Sequence, residues 1–125
     1  MTSNTKPTQP QKVEYNDAVA ESKIYFEGDD LAATVWVSKY ALNSYGNIYE
    51  RSPKQMHERI AAEIERIENK YPNPMSKEEV FSLLDHFRYI IPQGGPMTGI
   101  GNTLQIASLS NCFVIGHKNP ADSYG

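Results

Sequence analysis

The chain has 125 residues, 39% hydrophobic and 22% charged, which bounds one domain with a modest core and excludes a wholly disordered polymer. Its formal net charge is −3, with Lys and Arg gathered into no stripe, so a nucleic-acid backbone is excluded as the expected partner. A lone cysteine, Cys112, excludes an internal disulfide and a multi-cysteine metal site and suits a reducing compartment.

Residues 1–13 are Thr, Asn, Gln, Lys and Pro with almost nothing apolar, too little to offset the entropy of ordering, and are expected as a disordered tail. Tyr15, Val19, Ile24, Tyr25 and Phe26 follow at spacings that fit no template, and Gly28 punctuates the end. Asp29 and Asp30 are N-cap residues for a helix over 31–42, whose Ala, Val, Trp and Tyr project almost all round and call for burial on several sides, Trp36 in the core. Residues 43–47 supply turn chemistry, and Ile48 and Tyr49 begin a brief extended piece.

Ser52-Pro53-Lys54-Gln55 reads as a capping box with proline in the first helical position, where its missing N–H costs nothing. Met56, Ile60, Ile64, Ile67 and Tyr71 then lie within one face about 80° wide at roughly 100° per residue. The charged residues over 58–70 read as the solvated face. Asn69 to Pro74 ends this helix. Ser76 with Glu79 is a second capping box, opening a helix from Lys77 to about Phe87 with Val80, Phe81, Leu83, Leu84 and Phe87 inward. The two helices with their short proline-rich link suit an antiparallel pair.

From Pro92 to Asn102 glycine and proline predict a loop. Cys112-Phe113-Val114-Ile115 before Gly116 predicts a strand covered on both faces. No convincing partner strand is present for it, so the chain is expected to be incomplete, a truncation or one half of a split product. His57, His86 and His117 lack ligand spacing and are read as solvated or core-edge residues, so no metal site is expected. Asp85 and His86, about 100° apart on a helix, are not read as a dyad. No apolar run approaches the roughly 20 residues of a membrane-spanning helix and no basic-then-apolar leader is present, so no membrane association is expected and the cytoplasm is the default location.

Three segments resemble the N-terminal part of ribonucleotide reductase catalytic subunits. They are Val35-Trp36-Val37-Ser38-Lys39-Tyr40-Ala41-Leu42, then Phe87 through Asn102 with its Pro92-Gln93-Gly94-Gly95-Pro96-Met97-Thr98 core, and Gln105 through Ile115 with Ser110-Asn111-Cys112. The closing Asp122-Ser123-Tyr124-Gly125 is similar to a further family segment. The resemblance implies an α+β fragment: a mainly helical N-terminal region over 14–92, then over 93–125 a phosphate loop, the first strand of a ten-stranded α/β barrel and the start of the next segment. With only some thirty residues before the first motif, it implies a subunit of the type lacking an ATP cone.

It implies also that Cys112 is one of two thiols oxidised to a disulfide as the ribose 2′-hydroxyl leaves. Loss of that hydroxyl as water takes two electrons and a dithiol supplies two. By position Gly95, Pro96, Met97, Thr98 and Asn111 correspond to substrate-binding residues, and Asn119, Asp122 and Ser123 to the binding of a deoxynucleotide or ATP effector at a homodimer interface. Many reductases carry Ser or Thr directly beside the loop proline; here Thr98 is the nearest hydroxyl. The second redox thiol, the thiyl-radical cysteine and the finger-loop Asn and Glu have no counterpart.

The fragment alone is expected to bind no cofactor and to be inactive. The complete enzyme would use adenosylcobalamin or a metal-containing radical subunit and a thioredoxin- or glutaredoxin-type reductant. The alternative from the residues is a non-catalytic helical interaction module whose C-terminal strand docks on a partner sheet, with Cys112 a buried small hydrophobe.

Overall fold

The computed structural model describes residues 11–104, and Val13, expected in the tail, already belongs to the fold. It is 6% exposed, and its N–H donates to the Ile48 carbonyl at 2.7 Å, so this one apolar residue joins the fold through an isolated bridge to Ile48. Five helices follow: α1 (Tyr15–Tyr25), α2 (Asp30–Lys39), α3 (Pro53–Glu68), α4 (Lys77–Leu84) and α5 (Gly94–Gly99). The one sheet among the described residues is the hairpin β1 (Asn43–Ser44) and β2 (Asn47–Ile48). The described part is therefore mainly helical with a small two-stranded sheet. The expected barrel strand around Cys112 lies outside the described residues.

The ends of the helices follow from local chemistry. α1 closes in a Schellman motif: the Gly28 N–H reaches the Lys23 carbonyl at 2.8 Å and the Glu27 N–H the Ile24 carbonyl at 3.1 Å. Glu27 holds the left-handed position usually given to glycine. Asp29 caps α2 by accepting from the Ala32 N–H at 2.9 Å. Tyr45 and Gly46 both have positive φ, as a type I′ turn requires, and join β1 to β2 in the register Asn43↔Ile48. At α3 neither bond of the expected capping box forms. Ser52 makes no side-chain cap, and Gln55 Oε1 accepts instead from the Arg51 N–H at 2.5 Å. At α4 the Ser76 hydroxyl accepts from the Glu79 N–H at 3.2 Å. Ser76→Ala is therefore expected to lower stability by about 1 kcal/mol in urea unfolding, against about nothing for Ser82→Ala on the same helix.

The core gathers Ala18 of α1, Trp36 and Val37 of α2, Met56, Ile60 and Ala61 of α3, Val80 and Leu84 of α4, and Met97 of α5. The Trp36 indole N–H points at the Met56 sulfur, 3.3 Å away. α3 packs on α4, as expected for the pair, and α1 on α2. Of the burial on several sides expected for α2, Ala33, Trp36 and Val37 supply a part, while Leu31 is 75% exposed. The α3 stripe is likewise covered only at its start, Met56 and Ile60 being buried while Ile67 and Tyr71 stand in solvent. No helix among the described residues is long and apolar enough to cross a membrane.

Candidate functional site

The helix predicted over 77–87 ends at Leu84, followed by a 3₁₀ turn (Asp85–Phe87) in which His86 and Phe87 take left-handed φ of 55° and 53°. Tertiary contacts hold that conformation. The Tyr25 hydroxyl donates to Asp85 Oδ1 at 3.0 Å and accepts from the His86 N–H. The His86 ring stacks on Tyr25 at 4.3 Å, and Phe87 meets the His57 ring edge-on at 4.8 Å. Asp85 and His86, outside helical geometry, come within 3.8 Å of each other, so the helix-based separation expected for them does not apply.

His57, expected at the surface or core edge, is fully buried. Its Nδ1 lies 3.2 Å from the Tyr25 oxygen. That oxygen has given its single proton to Asp85, so Nδ1 must be the protonated nitrogen and Nε2 the bare acceptor. Nε2 has no partner among the described residues. Burial pushes the His57 pKa down to about 4, with Asp85 opposing and His86 and Arg59 adding to the shift. Burial likewise raises the Tyr25 pKa well above the usual range, so Tyr25 is a neutral hydrogen-bonding hub.

The glycine-rich segment departs from expectation too: residues 94–99 are helical, not a loop. Pro96 falls in the first turn, where no intrahelical N–H bond is lost. The Thr98 hydroxyl donates back to the Gly94 and Gly95 carbonyls at 3.0 and 3.2 Å. Asn102 closes the end, its side-chain amide donating to the Thr98 carbonyl at 3.0 Å. The decisive contact comes from α3. Arg59 donates to the Met97 carbonyl at 2.5 Å and to the Ile100 carbonyl, placing a guanidinium where a helix C-terminus favours positive charge.

Arg59 is itself held by Glu50, Nε to Oε2 at 3.0 Å, their side chains only 10% and 4% exposed. Glu50 Oε1 in turn accepts the Leu42 N–H at 2.8 Å. A hydrogen-bonded path thus runs from the hairpin stem through Glu50 and Arg59 to α5. The backbone fits it closely: at Gly101, with φ of 72°, a Cβ would stand 2.9 Å from Arg59 Cγ and 3.1 Å from its carbonyl oxygen, closer than side chains tolerate.

Of the residues expected at a substrate site, Gly95, Pro96, Met97 and Thr98 are brought together on α5, with Met97 buried. Cys112, Asn111, Asn119, Asp122 and Ser123 lie outside the described residues. α5 lies between two cavities. One of about 390 Å³ is lined by Met97 with Phe26, Leu31, Val35, Trp36, Tyr40 and Phe87; the other, about 350 Å³, by residues 99–103 with Glu63, Ile64 and Ile67. No group of three His, Cys, Asp or Glu that could hold a metal occurs among the described residues. Arg59, Glu50, His57 and Tyr25 are the polar residues that sequence reasoning missed. Arg59 and His57 flank the α3 stripe, about 60° and 100° from Met56 on either side, and a wider reading of that face would have included both.

A helical domain in which a short glycine-rich helix, α5, is clamped by a buried ion pair is the class these observations define. The model of one family, described as ribonucleotide reductase, all-alpha domain, matches residues 26–96. That is more than half of the chain, and the chain belongs to this family, the helical N-terminal domain of the reductase large subunit. Comparison with curated proteins gave no match, and neither did comparison with solved structures.

Proposed function

We propose that the chain works as part of a ribonucleotide reductase that converts ribonucleotides to deoxyribonucleotides by thiyl-radical chemistry, and that it is inactive alone. The observation that carries this is continuity: the family match over 26–96 runs into α5, and the Ser110-Asn111-Cys112 motif follows in the family's order. In this reading the helical domain precedes a ten-stranded α/β barrel, whose first strand carries Cys112 against the ribose. Its thiol and a second one from the rest of the barrel close to a disulfide, giving two electrons as the 2′-hydroxyl departs as water. A thioredoxin- or glutaredoxin-type partner restores the dithiol.

Gly95, Pro96, Met97 and Thr98 would lie beside the substrate phosphates and Asn111 beside the sugar. Asn119, Asp122 and Ser123 would begin the effector site for a deoxynucleotide or ATP at a homodimer interface. The subunit would work in the cytoplasm. Adenosylcobalamin or a metal-containing radical subunit would generate the radical. The bare Leu31, Val35, Tyr89, Ile90 and Ile91 are what the remaining barrel would cover.

The test is reconstitution. Co-expression with a chain supplying the remaining strands is expected to restore ribonucleotide reduction. Cys112→Ser should abolish turnover driven by an external dithiol while leaving assembly intact. Normal turnover by the serine variant would refute the redox role.

A further inference from the structure

We infer that Arg59 is a positioning residue for the substrate phosphates, acting through α5 and held in place by Glu50; the inference rests on the proposal that α5 lies beside those phosphates. The geometry supports a fixed and not a sliding contact. One guanidinium spans the Met97 carbonyl, the Ile100 carbonyl and both oxygens of Glu50, a set that uses the planar fork of arginine and that a single ammonium point cannot reach together. The pair is nearly out of solvent, so water cannot substitute for it.

Composition by itself argues against helix in Gly94-Gly95-Pro96, since glycine loses more backbone freedom on ordering than any other residue. The bonds of the Thr98 hydroxyl stay inside the segment, and Arg59 ties the Met97 and Ile100 carbonyls to the helical body. Met97 and the close approach of Gly94 to the Tyr40 ring, where a Cβ would meet Cε1 at 3.2 Å, set its depth. The guanidinium sets its orientation. Displacement of the segment by an ångström would misplace every backbone group it presents to an anion, and such misplacement far from the chemistry is costly. Arg59 itself, with its donors facing Glu50 and the α5 carbonyls, touches no phosphate in this account.

The experiment compares wild type, Arg59→Lys and Glu50→Gln in the reductase reassembled from this chain and one supplying the rest of the barrel. It measures kcat and KM for the ribonucleotide, and Ki for the corresponding ribonucleoside, which lacks phosphates. Arg59→Lys should raise KM about tenfold with kcat within about threefold, and leave the ribonucleoside Ki nearly unchanged. Glu50→Gln, which keeps the Leu42 contact, should show the same pattern at about threefold, and decides the matter if the lysine variant does not fold. KM and Ki rising together would mark a merely structural role and overturn the inference, as would an unchanged KM. A wild-type assembly that reduces no ribonucleotide would overturn the proposed function and the inference with it; an active wild type beside an Arg59→Lys enzyme of normal KM overturns the inference alone.

Discussion

Glu50→Leu is expected to destabilise the domain by about 3–5 kcal/mol, a large part of the stability a domain of this size possesses. The leucine fills most of the carboxylate's space, so packing is not the main loss. What is left behind is the Arg59 guanidinium, nearly buried, with two carbonyls for partners and no opposing charge. The Leu42 N–H, which donates to Glu50 Oε1, loses its acceptor as well. Urea unfolding should show the midpoint falling steeply with little change in slope.

The double variant Glu50→Leu with Arg59→Met gives the sharper result. It removes both charges together, and replacing a whole buried pair by apolar groups is far gentler than breaking it. Its loss should therefore be smaller than the sum of the two single losses by about 1–3 kcal/mol. It should not return to wild type, because the Met97 and Ile100 carbonyls lose their donor. Additive losses, or a Glu50→Leu cost below about 1 kcal/mol, would show that the pair is solvated in solution and that the clamp on α5 is weak.

The readable parts of this fold are those decided within a few residues. Pro53 and Ser76 mark their helix starts because the first turn needs only a missing or a capped N–H, and Asp29 does the same for α2. The Tyr45-Gly46 turn is legible from glycine and its polar neighbours. The parts that misled were set from far away. Residues 94–99 read as loop by composition, and become a helix because a guanidinium at position 59, 41 residues from Ile100, holds the carbonyls at its end. The helix through Phe87 stops at Leu84 because Asp85 and His86 are claimed by Tyr25, 60 and 61 residues earlier. Periodicity located the centre of the α3 face but not its width, so at its borders Arg59 reads as solvated and His57 as solvated or core-edge. The proposal that Gly95 to Thr98 lie at a substrate site rests on resemblance; the ion pair that holds α5 was not legible at all, since nothing local distinguishes Arg59 from the exposed Arg66.

Lowering the pH from 7 to 4.5 is expected to weaken the domain by up to about 3 kcal/mol through His57 alone. The sign follows from where the proton goes. Burial holds the folded-state pKa near 4, whereas the unfolded imidazole titrates near its ordinary value of about 6.5. Above that value both states carry a neutral ring and the residue contributes no slope. As the pH falls below it the unfolded chain takes up a proton that the folded chain refuses, so stability drops until the folded ring also titrates near pH 4. The refusal has a structural basis: Nδ1–H is already committed to Tyr25 and a proton on Nε2 would find no acceptor among the described residues, so the charge would be buried unpaired. His57→Asn separates this from other acid effects. The asparagine amide can still donate to the Tyr25 oxygen but does not titrate, so the variant should be weaker at pH 7 yet lack most of the slope between pH 6.5 and 4.5. Equal slopes for wild type and variant in urea unfolding would mean that His57 takes up its proton at an ordinary pH in the folded chain.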